Sequence, residues 1–73
     1  MRRPALGHHR AMTTRAELSS LTSSLDELTR RVTALAEQAH AGGDEELATE
    51  LFAVERALTG ALRRLRRVES TRS

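Results

Sequence analysis

The stretch Ala39-His40-Ala41-Gly42-Gly43-Asp44-Glu45-Glu46-Leu47 decides the fold. A glycine just past a helix end takes the left-handed conformation that lets the final carbonyls find donors, so Gly42-Gly43 stops a helix arriving from the N-terminal side. Asp44 supplies the side-chain oxygen that an N-cap needs. Glu45 and Glu46 then place acid in a first turn, where the helix dipole favours it. His40 lies in the last turn of the arriving helix, where a protonated imidazole suits the other end of the dipole. The segment reads as helix, tight turn, helix.

Both arms carry the same repeat. Before the turn, Leu18, Leu21, Leu25, Leu28, Val32, Leu35 and Ala39 follow one another at alternating spacings of three and four. After it come Leu47, Leu51, Val54, Leu58, Ala61, Leu65 and Val68. This is the spacing of a coiled-coil seam. Folding the chain at Gly43 pairs positions whose numbers sum to 86, so that Leu35 meets Leu51, Leu28 meets Leu58 and Leu21 meets Leu65. Thr14 and Glu17 have the spacing of a capping box at the start of the first arm. The pattern predicts an all-α antiparallel two-helix coiled-coil hairpin over 14–69, with a helix 14–41, a turn 42–43 and a helix 44–69. Residues 1–13, with Pro4, Gly7, His8, His9 and Arg2, Arg3 and Arg10, lack apolar periodicity and read as a disordered basic tail. Residues 70–73 read as a frayed end.

Composition limits the function. The chain has 73 residues, at most one small domain, and such a domain rarely buries enough apolar surface without a staple, a metal or an oligomeric partner. There is no cysteine to form a disulfide or a thiolate site. Phe52 is the single aromatic residue, so stacking of bases on aromatic rings is not expected. All twelve basic side chains are arginine, and lysine, isoleucine and asparagine are absent, a bias expected of a GC-rich bacterial genome. A pI near 11.0 therefore accompanies a net charge of only +2 and implies no strong long-range field. No apolar run approaches a membrane span, and the first ten residues lack the apolar stretch of a secretory signal. The expected compartment is the cytoplasm, with no membrane partner.

The flanks of the leucine seam differ. One carries Glu17, Ser24, Arg31 and Gln38 on the first arm and Glu50, Ala57, Arg64 and Thr71 on the second. The other is smaller and less polar: Thr22, Thr29 and Ala36 opposite Ala48, Glu55 and Leu62, with Phe52 beside them. Thr29, Ala36, Ala48, Phe52, Glu55 and Leu62 are accordingly the expected association face. The expected partner is a second copy, giving a homodimeric four-helix bundle, or else another helical protein. Charge favours an antiparallel dimer. The open end (1–27 and 59–73) has nine arginines against four acids, a net of +5, and the loop end (28–58) has three against six, a net of −3.

Arg63, Arg64, Arg66 and Arg67 are candidate contacts for an anionic partner, nucleic acid included, though they project around the helix and also suit its C-terminal dipole. Nucleic acid is the less favoured partner. His8-His9 has no third ligand nearby in sequence, no carboxylate occupies a seam position of the leucine repeat, and no phosphate-cradling glycine motif occurs. No cofactor and no metal are expected, and the chain reads as a non-enzymatic interaction module, an adaptor or regulator. The layout resembles that of small bacterial helical-hairpin regulators, among them anti-sigma proteins that hold a transcription factor with a coiled coil. The cyclic-di-GMP-binding signature of such hairpins (Glu, Ser, Arg, Gln, Asp) falls here on Glu27, Arg31, Ala34, Gln38 and Gly42. Two of the five positions match. The arginine and aspartate that hold the ligand are missing, so that activity is not implied.

Overall fold

In a computed structural model the chain is a helical hairpin. The structure describes the backbone of residues 3–72 and the side chains of residues 14–71. Helix α1 runs Arg3–Ala41 and helix α2 runs Glu45–Arg72, and the two pack against each other. The rod measures 57 × 26 × 13 Å, with a radius of gyration of 17.3 Å. A compact chain of this length would have a radius near 11 Å.

The helices exceed their expected bounds at the outer ends. Helix α1 begins at Arg3, not Thr14, and Thr14, expected as its cap, lies within the helix. Pro4 falls in the first turn, where its missing N–H and fixed φ are tolerated, and most of the residues after it are compatible with helix. The expected roles of Arg2, Arg3, Arg10, His8 and His9 fall on side chains outside those described. Helix α2 continues through residues 70–72, and Thr71 donates its hydroxyl hydrogen to the Val68 carbonyl at 2.9 Å.

The turn has the expected chemistry. Gly43 is the one residue with positive φ, at 87°, among those described. Its N–H reaches the His40 carbonyl at 3.1 Å, and the Asp44 N–H reaches the Ala39 carbonyl at 2.9 Å. These two bonds are the Schellman pair, closing the last carbonyls of α1. Asp44 caps α2: its Oδ1 accepts from the Leu47 N–H at 3.2 Å, and its carbonyl accepts from the Ala48 N–H at 2.9 Å. His40 Nδ1 lies 3.0 Å from the Glu45 carboxylate, tying the two helix ends across the turn.

The helices are rotated relative to the leucine repeat, which corrects the expected seam. The positions turned inward on α1 are Leu18, Thr22, Leu25, Thr29, Val32, Ala36 and Ala39. On α2 they are Ala48, Leu51, Glu55, Leu58, Leu62, Leu65 and Glu69. The 3-4 alternation survives, but Leu21, Leu28, Leu35, Leu47, Val54 and Val68 are outside it. The most deeply buried residues are Ala36 at 0%, Ala48 at 2% and Leu62 at 6% exposure, with Thr22 and Thr29 both at 8%, so four of the five are small.

Two physical reasons account for the rotation. Only Gly42, Gly43 and Asp44 link the helices, and so short a link holds their backbones close. Ala36 and Ala48 fit that separation, whereas Leu35 and Leu47 would force the helices apart. Buried hydroxyls normally cost free energy, but here they are satisfied locally. Thr22 and Thr29 donate to the carbonyls of Leu18 and Leu25, four residues earlier, at 2.8 and 2.7 Å. No buried side-chain nitrogen or oxygen among those described lacks a partner.

Candidate interaction surface

Each helix turns two columns inward, Leu18-Leu25-Val32-Ala39 with Thr22-Thr29-Ala36 on α1 and Leu51-Leu58-Leu65 with Ala48-Glu55-Leu62-Glu69 on α2, and each carries a further apolar column beside them. The third column is left out in solvent. Among the described residues the exposed large apolar side chains all belong to it: Leu21, Leu28 and Leu35 from α1, and Leu47, Val54 and Val68 from α2, at 40 to 56% exposure. Within a heptad count each of these residues immediately precedes a buried position of the 22-29-36 or 48-55-62-69 series. In an antiparallel helix pair such positions lie on the same flank of the seam, so the six side chains form one face, joined by the half-buried Leu25, Val32, Leu51, Leu58 and Leu65. A shallow groove on this side is lined by Leu28, Val32 and Leu35, with Arg31 and Gln38 at its rim.

The accessible surface of the chain is 5692 Å², against about 4,500 Å² for a compact monomer of the same mass. The excess goes with the rod shape. Among the described residues no large side chain is fully buried. Thus the hairpin encloses little core of its own and leaves a contiguous leucine face in solvent.

The opposite flank is polar and internally tied. Asp26 Oδ2 accepts from Arg30 on its own helix at 3.1 Å and from Arg66 of α2 at 3.2 Å. Asp26, Thr33, Phe52 and Thr59 are half-buried on this side. The Thr59 hydroxyl lies 3.4 Å from the Glu55 carboxylate, which itself sits at a seam position.

The expected association residues are therefore placed differently from their assignment. Thr29, Ala36, Ala48 and Leu62 are covered inside one chain, and Glu55 and Phe52 are half-buried there. They line the contact between α1 and α2. The outward face is instead made by the leucine column that the spacing had placed in the seam. The signal that finds it is the pair of small residues nearest the turn, Ala36 and Ala48, which a short link draws inward ahead of Leu35 and Leu47.

The arginines are not gathered into one pocket. Arg66 is engaged by Asp26, while Arg63, Arg64 and Arg67 are exposed at successive angles around α2. Arg56, Arg63 and Arg67, however, share one outward line with Gly60 between them, and no acidic residue stands on that line from 51 to 71. A Cβ added at Gly60 would meet nothing within 4 Å. Among the described residues no group of three His, Asp or Glu side chains is placed to hold a metal ion. No described helix is long and apolar enough to cross a membrane.

No protein-family model matches the chain, and neither a curated protein nor a solved structure shows significant similarity to it.

Proposed function

We propose that this chain is a non-enzymatic protein–protein interaction module, a cytoplasmic adaptor or regulator that works by helix–helix packing. The observation that carries the reading is the outward column Leu21, Leu28, Leu35, Leu47, Val54 and Val68, unpartnered in the single hairpin. An apolar stripe along a helix pair is suited to another apolar helical surface, which continues the 3-4 packing on its second side. The simplest product is a four-helix bundle of two hairpins, with the contact on the leucine face and not on Ala36 and Ala48. Burying the exposed half of one leucine contributes about 1 kcal/mol, so four leucines and two valines together contribute several. That is the scale a marginal two-helix core lacks.

Sedimentation across a wide dilution range tests this. The expected result is an assembly that loses helix content as it dissociates. A well-folded hairpin that stays monomeric at every concentration, with its leucine face wet, would refute the proposal.

The line Arg56, Arg63 and Arg67 favours a second reading, contact with a nucleic-acid backbone along the outer side of α2. Such contacts release counterions, so affinity for generic duplex would fall steeply with salt. An interaction absent at low salt eliminates this reading and leaves the arginines as solvated side chains.

A further inference from the structure

We infer that the occupant of the leucine face is a second copy of this chain, laid antiparallel with the twofold axis level with Ala57. The inference rests on the helix-packing reading above and names its partner and orientation. Area and charge support it. Helix α2 has 28 residues, so the paired part of the rod offers a face about 42 Å long and, at two helix widths, about 20 Å wide. The resulting area, about 840 Å², matches the roughly 800 Å² per partner of a stable interface. A self-complementary surface must also map onto itself by rotation.

Glu50 and Arg64 lie seven residues on either side of Ala57, two heptads apart, on the same edge of the leucine face. Inverting a copy about the level of Ala57 sets α2 against α2 and brings Glu50 of each chain to Arg64 of the other. The same operation exchanges Leu47 with Val68, and Val54 with Ala61, to within one residue. It sets Arg31 beside its own copy on the α1 edge, one like-charge contact against two Glu50–Arg64 pairs, and lays the +5 open half of each hairpin along the −3 loop half of its partner. The alternative, a parallel pair with both loops at one end, sets Arg31 beside Ala57, Gln38 beside Glu50 and Ser24 beside Arg64. It creates no opposite-charge pair on this edge and stacks like-charged ends.

The test uses the absence of native cysteine. In full-length Ala57→Cys, the two copies bring the new thiols together near the axis, and an added oxidant should link the dimer through a disulfide. In a mixture of Arg31→Cys and Ala57→Cys chains, the Arg31-to-Ala57 link should be absent. Charge reversal gives an independent readout: Glu50→Arg or Arg64→Glu alone should weaken dimerisation by about tenfold, and the double exchange should restore it. A dimer that links only in the mixture is parallel and overturns the inference, leaving the helix-packing reading standing. A dimer that links in neither, or whose double exchange is as weak as the single ones, also overturns it. A wild-type monomer at all concentrations overturns both.

Discussion

Replacing Leu28 and Leu35 together by serine separates the two faces of the hairpin. These side chains are 46% and 50% exposed in the single chain, so about half of each would be covered in the proposed bundle. Covering a whole leucine contributes about 1.5–3 kcal/mol, hence the remaining half contributes about 0.7–1.5 kcal/mol. Two positions in each of two copies give roughly 3–6 kcal/mol of lost association, a dissociation constant raised by about two to four decades. The seam residues Thr29, Val32 and Ala36 are untouched, so at protein concentrations high enough to assemble the variant its helix content should match the wild type. Sedimentation equilibrium measures the first quantity and far-ultraviolet circular dichroism the second. A dissociation constant within threefold of wild type, in a variant that still folds, refutes the placement of Leu28 and Leu35 on the contact face.

The glycines predict opposite signs. Gly43→Ala forces a side chain into a left-handed backbone at φ 87° and should cost about 1–2 kcal/mol, with Gly43→Asn costing less, by urea unfolding at fixed concentration. Gly60→Ala enters open space in mid-helix and should stabilise by about 1 kcal/mol in the same assay. Asp44→Ala removes the oxygen that caps α2 and should lower stability by about 1 kcal/mol, seen as a shift of the urea midpoint. Arg66→Ala breaks the cross-helix link to Asp26, but both groups are partly in water, so the loss should stay below about 1 kcal/mol and shrink with added salt.

The turn was legible residue by residue. Gly43, Asp44 and His40 each do locally what their chemistry prescribes, because caps and turns are decided within a few residues of sequence. The existence of two helices was legible from the 3-4 repeat that runs through each arm. The rotation of those helices about their own axes was not. It depends on how closely two backbones approach, and that is set jointly by a three-residue connection and by Ala36 facing the far helix. Leucine spacing alone favours the larger side chains for the seam. Thr22 and Thr29 read as polar in sequence, and their suitability for burial becomes apparent only when each hydroxyl is seen bonded to the carbonyl four residues before it.

The polar flank tied by Asp26, Arg30 and Arg66 has a consequence for growth. A rod that is adhesive on both broad sides would stack without limit into ribbons or fibres. This one offers leucines on one side and a charged latch on the other. In the proposed bundle a second hairpin would cover the leucine side, the latch would face outward, and addition would terminate. The same carboxylate that ties the two helices together would then help keep that assembly finite.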